Sequence, residues 1–152
     1  KTAYEIYQCD WSSDVCSSDL AALLEEYEFN QTAEEKLSWL LERPTAHDRI
    51  PDTELTNEKR LPGCASGLWL TGESVGTGYI FSARSESSMV QGVACFLCEL
   101  CSGIPSAQVL ALAPGLASQL GLEGLLSTTR KRAVHTTLAF ISAYAAANPE
   151  AR

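Results

Sequence analysis

The chain has 152 residues, of which 45% are hydrophobic and 20% charged, a composition typical of one ordinary globular domain with its own core. Its net charge of −8 argues against non-specific nucleic-acid binding, because that activity needs clustered Lys and Arg. No run of about 18 apolar residues occurs, so we expect no membrane span and no membrane partner.

The first twenty residues differ in character from the rest. They read KTAYEIYQCDWSSDVCSSDL, and the tetrapeptide SSDV at 12–15 is echoed by SSDL at 17–20. A secretory signal would need an apolar stretch of about 7–15 residues, and a transit peptide would be rich in Arg. The segment instead resembles a translated sequencing-adapter read, with a genuine polar helix as the alternative. We predict that residues 1–20 are non-native and that residues 21–152 form a single domain.

The next part of the chain has a helical pattern. Residues 21–43 place Leu37, Leu40 and Leu41 on one face. Thr32 is a plausible helix start, because its hydroxyl can cap the first turn and two glutamates follow it. Pro44 ends the pattern, and the polar residues 45–60 predict a surface loop.

A β-hairpin follows. Residues 68–71 and 79–83 are predicted to form two short strands, and the glycine-rich residues 72–78 the turn between them. That turn is longer than the favoured two-residue turn, so the pairing register is open.

The second half of the chain is predicted to be helical. Ser85 is expected to cap a helix from Glu86 to about Cys101, which is apolar over most of its girth and therefore central to the core. Short helices are predicted after Pro105, which suits the first helical position, and around residues 116–120.

A turn between Gly121 and Gly124 and a last helix over about 129–147 complete the chain. The order of elements predicts an α+β fold, in which a small antiparallel sheet packs against several α-helices.

Cys64 is the candidate for chemistry, because the glycines and proline around it predict a tight, exposed turn. Thiol and persulfide transfer proceeds by attack of a thiolate on sulfur, so the rate depends on access and on the thiolate fraction. Gly63 allows backbone amides to approach the thiol, and Ser66 adds a donor, which would favour the charged form. A single Cys without a neighbouring base is by itself a weak signal, and its spacing alone favours an incidental loop cysteine over chemistry.

A family resemblance supports the chemical interpretation. The segment Gly63-Cys64-x-Ser66-x-Leu68-Trp69 resembles the motif G-C-x-S-x-V-W of SufE-like sulfur acceptors. Three further segments extend the likeness over about residues 29–147. They are EEK at 34–36, SESSMVQG at 85–92, similar to S-D-A-x-I-V-x-G, and LSTTR at 126–130, similar to L-T/S-P-x-R. The resemblance implies the fold that SufE-like proteins share with IscU-like cluster scaffolds.

The resemblance also implies a function. Cys64 would take sulfur from the persulfide of a SufS-like, pyridoxal-phosphate-dependent cysteine desulfurase and hand it to an iron–sulfur scaffold complex in the cytoplasm. Gly63 and Ser66 would shape the loop, Trp69 would anchor the following strand, and Arg130 would lie near the loop or the desulfurase contact. The protein would be a carrier and an activator of the desulfurase. It would bind no pyridoxal phosphate and no other cofactor, apart from the transient persulfide.

Some positions depart from the family pattern. Ala65 stands where the family has a polar residue, and Ala133-Val134 stands in place of Gly-Leu after the Arg. Ile104-Pro105-Ser106 replaces a Thr-Pro helix opening. These departures affect the details of partner contact, those of Arg130 most, and leave the thiol chemistry unchanged.

Five other residues are of types that bind metals. Cys95, Cys98 and Cys101 mimic part of an iron–sulfur ligand run, but they fall inside a helical apolar pattern that predicts core packing. His47 and His135 lack a second ligand at zinc spacing.

A cluster scaffold or metal-binding module of the same fold is the alternative function, and an interaction domain with an incidental cysteine is a third. A monomer and a weak homodimer fit the sequence equally.

Overall fold

The structure is a computed structural model that describes residues 18–42, 50–61, 67–75 and 78–148. The described elements are α1 Ser18–Phe29, α2 Ala33–Glu42, β1 Leu68–Val75, β2 Gly78–Ser85, α3 Ser88–Cys101, α4 Ser106–Leu112, α5 Leu116–Gln119, α6 Leu122–Leu125 and α7 Thr128–Ala147, with 3₁₀ turns at Asp52–Glu54 and Ala113–Gly115. One antiparallel strand pair packed with helices confirms the predicted α+β class. Most of residues 1–20 lie outside the described part, so the proposed non-native segment stays a prediction.

The helical pattern over 21–43 contains two helices, which are separated at Asn30 and Gln31. Thr32 caps the second helix as predicted, since its Oγ1 accepts a hydrogen bond of 3.1 Å from the amide of Glu35. The Glu35 carboxylate in turn accepts bonds from the amides of Gln31 (2.9 Å) and Thr32 (3.3 Å). This reciprocal arrangement satisfies amides that the helix leaves without partners, and so fixes the start of α2.

The β-hairpin is longer than predicted. The strands pair from Leu68 with Ser85 to Val75 with Gly78, so only residues 76 and 77 lie between them, and the prediction of a long glycine-rich turn is wrong. Gly72 lies inside β1, where a Cβ atom would stand 2.9 Å from the ring of Tyr144. This glycine marks the close approach of α7 to the strand, a role that a sequence pattern does not distinguish from a turn.

Helix α3 begins at Ser88, so its predicted start at Glu86 is wrong. Its cap is Ser87, whose Oγ accepts a bond of 3.3 Å from the amide of Val90. Ser85, the predicted cap, is the last residue of β2 because it pairs with Leu68 across the hairpin. Its hydroxyl accepts a bond of 3.1 Å from the amide of Ser87 and thereby supports the true cap.

Helix α3 forms the centre of the core, as predicted from the apolar residues around most of its circumference. Phe96 stacks on Tyr27 with ring centroids 5.2 Å apart and meets Trp39 edge-on at 5.3 Å. A Cβ atom at Gly92 would stand 2.7 Å from the carbonyl oxygen of Leu40, so this glycine lets the backbone of α2 lie directly against α3.

The later helices follow the prediction with two corrections. Pro105 is the N-cap of α4 and not its first helical residue. Gly124 lies inside the short helix α6, whereas Gly121 has a left-handed φ of 69° and does form the turn before it. Helix α7 agrees closely with the predicted last helix. Within the described part of the chain, none of the helices has both the length and the apolar character that a bilayer crossing requires.

Candidate functional site

The structure describes the residues on either side of the cysteine loop, at positions 61 and 67, but not residues 62–66 between them. Cys64, Gly63 and Ser66 lie at positions 62–66, outside the described residues, so the structure does not test their predicted roles. Leu61 and Gly67 flank this five-residue segment, and both are described. The structure therefore shows the loop base, by which we mean Leu61, Gly67 and the residues that they contact.

Three hydrogen bonds, each donated by a backbone amide, define that base. The amide of Leu61 donates to the carbonyl of Leu68 at 2.9 Å, which brings the entry of the loop beside β1. The amide of Gly67 donates to the Glu86 carboxylate at 3.0 Å, and the Gly67 carbonyl accepts from the Glu86 amide at 3.2 Å. Both ends of the loop are thus fixed where β1 begins and where β2 leads into α3.

Trp69 ties this base to the segment that precedes the loop. Its side chain is only 7% exposed, and its Nε1 donates to the carbonyl of Thr56 at 2.9 Å. The ring also covers Gly67, where a Cβ atom would stand 2.5 Å from a ring carbon. Trp69 therefore holds the preceding segment and the exit of the loop together.

Arg84 makes a second connection to the same segment. It lies opposite Trp69 in the strand pairing. Its guanidinium donates to the carbonyl of Ile50 at 2.8 Å and to the carboxylate of Asp52 at 3.1 Å. The cross-strand pair of Trp69 and Arg84 thus fixes three points of residues 50–61 before the chain enters the loop.

Sequence reasoning missed some of these supports. Glu86 is predicted above only as the start of a helix, although it stands at the acidic second position of the segment that resembles S-D-A-x-I-V-x-G, and this position was a signal that could have found it. Thr56 and Ile50 act through their backbone carbonyls, which leave no trace in the side-chain pattern.

Arg130 lies in the first turn of α7, where its side chain is exposed and its amide donates to Ser127 Oγ at 3.4 Å. It lines a narrow crevice between α3 and α7, together with Met89 and Val90 of the first turn of α3. Because α3 begins two residues after Glu86, the crevice opens at the end of α3 that lies next to the loop base.

The three cysteines of α3 are buried, in agreement with the predicted core packing. Burial, together with the neighbouring thiols of Cys95 and Cys101, raises the pKa of Cys98 well above its usual value. Burial alone raises the pKa of Cys101 to about 12. Both thiols are therefore protonated near neutral pH and are poor nucleophiles or metal ligands.

Among the described residues, no three His, Cys, Asp or Glu side chains converge as a metal site would require. His135 lies exposed on α7, and His47 lies outside the described part.

The fold and the loop base define a small α+β domain in which the residues flanking the cysteine segment, Leu61 and Gly67, are bonded to the start of β1 and to Glu86 just before the central helix. The SufE family profile, described as the Fe-S metabolism associated domain, matches residues 21–145. The chain therefore belongs to the SufE family and carries a SufE-like domain of iron–sulfur metabolism.

Individual relatives agree with this assignment. An uncharacterized SufE-like protein of Rhizobium etli is 24% identical over 124 residues, which cover 78% of this chain and 84% of that protein. SufE-like protein 1, chloroplastic/mitochondrial, of Arabidopsis thaliana is 32% identical over 76 residues, covering 49% of this chain and 20% of that protein. A hypothetical protein of Thermus thermophilus, solved in solution, shares the fold with a TM-score of 0.63 and 21% identity, over 84% of this chain and 93% of that one.

Proposed function

We propose that this protein accepts sulfur on Cys64 from the persulfide of a cysteine desulfurase and passes it on for iron–sulfur cluster assembly. The observation that carries the proposal is the contrast between the cysteines. The three cysteines of α3 are buried, and burial raises the pKa of Cys98 and Cys101, whereas Cys64 lies in a five-residue segment outside that helix whose two ends are held where β1 begins and where β2 leads into α3. Membership of the SufE family supplies the iron–sulfur context.

The reaction is a thiol–persulfide exchange. The Cys64 thiolate attacks the terminal sulfur of the desulfurase persulfide, a new sulfur–sulfur bond forms on Cys64, and the bond to the desulfurase sulfur breaks. The desulfurase cysteine leaves as a thiolate and the terminal proton stays on the transferred sulfur, so neither an oxidant nor a reductant is needed. A second exchange with an acceptor thiol of a scaffold complex then regenerates Cys64.

The structure supports this chemistry through the loop base. Transfer between two proteins requires that the attacking thiol reach a partner's sulfur at bonding distance, and a poorly positioned thiol loses much of the rate. The bonds from Leu61 to Leu68 and from Gly67 to Glu86 restrict where the five intervening residues can lie. They thereby shorten the search by which the thiol and a partner's sulfur come within bonding distance.

Alanine formation by a purified cysteine desulfurase, measured with and without this protein, tests the proposal. Native protein should stimulate the reaction, because it removes the persulfide that blocks the next turnover. Cys64→Ser should abolish the stimulation, since a hydroxyl does not accept sulfane sulfur.

The matched control is Cys101→Ala, which also removes one thiol, but from the buried helix. It should retain full stimulation. Equal loss of stimulation in both variants, or full stimulation by Cys64→Ser, would contradict the proposal.

A further inference from the structure

The hairpin of β1 and β2 has two outer edges, and the edge of β2 is closed. Its outward-facing backbone groups are bonded by α3 or by the residues just after it at four positions: Tyr79, Phe81, Ala83 and Ser85. Gln91 serves two of them, since its side-chain nitrogen donates to the Ala83 carbonyl at 3.0 Å and its oxygen accepts from the Ser85 amide at 2.6 Å. The Ser102 hydroxyl accepts from the Phe81 amide at 3.0 Å, and the Gly103 amide donates to the Tyr79 carbonyl at 2.8 Å. These groups occupy the place that a further strand would take along β2.

The outer edge of β1 is open over its second half. Residues whose backbone groups point outward lie opposite one another in an antiparallel pair, so the outward positions of β1 are those opposite the four above: Leu68, Leu70, Gly72 and Ser74. The Leu68 carbonyl accepts from Leu61, but within the described part of the chain no hydrogen bond reaches the outward groups of Gly72 or Ser74. Ser74 is exposed and Gly72 is partly exposed. Two amides and two carbonyls of β1 therefore form a template for an additional strand.

Glu73 determines which strand fits this edge. No bulge or proline interrupts β1, and its one charge is Glu73, which is exposed and forms no ion pair with any described residue. If a second copy paired through the same four groups, Gly72 would lie opposite Ser74 of the other copy, and the two Glu73 carboxylates would face each other. Like charges directly opposite are destabilising, and each copy carries a net charge of −8. Glu73 therefore disfavours a second copy and favours a strand that carries a cation.

We infer that the outer edge of β1 at residues 72–74 binds an extended segment of a partner protein, which adds a strand antiparallel to β1 and places a Lys or Arg opposite Glu73. The two residues that flank this cation bond to the backbone of Gly72 and Ser74. Because side chains alternate along a strand, the residues two before and two after the cation lie opposite Thr71 and Val75. Val75 is 48% exposed, so apolar, β-branched side chains suit these two positions. The segment therefore has the pattern apolar–x–cation–x–apolar.

This edge is separate from the loop base. A strand rises by about 3.3 Å per residue, which places Gly72 roughly 17 Å along the chain direction from Gly67. A segment bound at residues 72–74 therefore does not cover the exit of the cysteine loop. The edge is a second contact surface in addition to the proposed sulfur transfer, and the inference holds whether or not Cys64 accepts sulfur.

Nuclear magnetic resonance of the isotope-labelled full chain, titrated with the synthetic peptide acetyl-TVTKTVT-amide, tests the inference. Hydrogen exchange of the Gly72 and Ser74 amides should slow when the peptide binds, because these amides then donate to the peptide instead of to water. The amides of Thr71 and Glu73 point toward β2 and should change little, so they serve as the internal reference. The same peptide with N-methyl groups on the two threonines beside the lysine should not bind, because it lacks the amides that pair with β1.

Two variants separate the backbone contribution from the charge. Ser74→Pro removes one outward amide and leaves the bonds to β2 in place, and it should raise the dissociation constant of the lysine peptide about tenfold. Glu73→Lys should reverse the preference, so that acetyl-TVTETVT-amide binds more tightly than the lysine peptide. The charge-matched control is Glu42→Lys, which makes the same change at an exposed position of α2 and should keep the preference of the native protein for the lysine peptide. The melting temperature of each variant shows whether it is folded.

The outcomes are distinct. Slower exchange at Gly72 and Ser74, together with a preference that Glu73→Lys reverses and Glu42→Lys keeps, supports the inference. If millimolar lysine peptide leaves the exchange of both amides unchanged, Glu73 only keeps strands away from the edge, and the inference is overturned. It is also overturned if Ser74→Pro is folded and binds the peptide as tightly as the native protein does. If sedimentation shows that the native protein alone forms a dimer that Ser74→Pro dissociates, the occupant is a second copy, and the inference is again overturned.

Discussion

Gly67→Ala places a methyl group inside the base of the cysteine loop. The new Cβ would stand 2.5 and 2.7 Å from two carbons of the Trp69 ring and 3.0 Å from the Glu86 carboxylate. Favourable carbon contacts lie at about 3.5–4.0 Å, so the ring must move by roughly 1 Å. Trp69 is 7% exposed and bonded to Thr56, and it therefore has little freedom to move.

The expected cost follows from these contacts. Overpacking of a filled site costs about 1–3 kcal/mol, and loss of the Trp69 hydrogen bond adds about 1 kcal/mol. We expect the free energy of unfolding to fall by about 3 kcal/mol in total. The displaced loop exit should also change the rate at which an alkylating reagent modifies Cys64 in the folded protein.

Gly124→Ala is the matched control. Gly124 is exposed inside helix α6, and no atom lies within 4 Å of the position that the new methyl group would take. The same substitution there should be neutral or stabilising by up to about 1 kcal/mol, because alanine is the better helix former. Urea denaturation followed by circular dichroism measures both variants. Equal stabilities for the two would refute the account of the loop base.

Three further predictions concern the core and the site. Gly92→Ala should lower the free energy of unfolding, measured by urea denaturation, by about 2–4 kcal/mol, because its Cβ would lie 2.7 Å from the carbonyl oxygen of Leu40 in α2. An unchanged free energy of unfolding would contradict the close contact between α2 and α3. Burial raises the pKa of Cys98 and Cys101 above the value near 9 that they have in the unfolded chain. The contribution of these thiols to the free energy of unfolding should therefore be constant below about pH 8 and fall by about 1 kcal/mol for each thiol at pH 10. Cys98→Ala/Cys101→Ala, measured under reducing conditions, should remove most of that fall, and an unaltered slope would show that the thiols are not its source. Trp69→Phe keeps an aromatic ring but loses the bond to Thr56 and part of the buried indole, so it should lower the free energy of unfolding by at least about 1 kcal/mol and increase amide exchange over residues 50–61. Unchanged exchange would mean that this bond does not hold the segment.

The fold class was readable from the sequence because its elements are marked by strong local signals. The apolar girth of α3 and the cap at Thr32 both depend on residues close together in the chain. The errors arose where a distant contact decides the role of a residue. Gly72 reads as a turn glycine until Tyr144 is seen to pack over it. Ser85 reads as a helix cap until its pairing with Leu68 extends β2.

The site was predictable only in part. Cys64, Gly63, Ser66 and Trp69 belong to one continuous motif, so a family resemblance was enough to select them. The supports of the loop lie elsewhere in the chain. The Glu86 carboxylate reaches Gly67 over 19 positions, and the crevice beside Arg130 exists only because α3 and α7 are packed together. Pairings at such separations depend on tertiary structure and leave no periodic pattern.

The transfer of sulfur to Cys64 can be measured directly, because trypsin separates the cysteines by location. Cleavage after Lys and Arg yields one peptide of residues 61–84 that contains only Cys64 and another of residues 85–130 that contains all three cysteines of α3. The protein is incubated with a purified cysteine desulfurase and cysteine, the thiols are alkylated, and the peptides are weighed. We predict one added sulfur atom on the 61–84 peptide, none on the 85–130 peptide, and none on either peptide in Cys64→Ser. An active desulfurase that leaves the 61–84 peptide unmodified, or that loads sulfur onto the 85–130 peptide instead, would contradict the assignment of Cys64 as the sulfur acceptor.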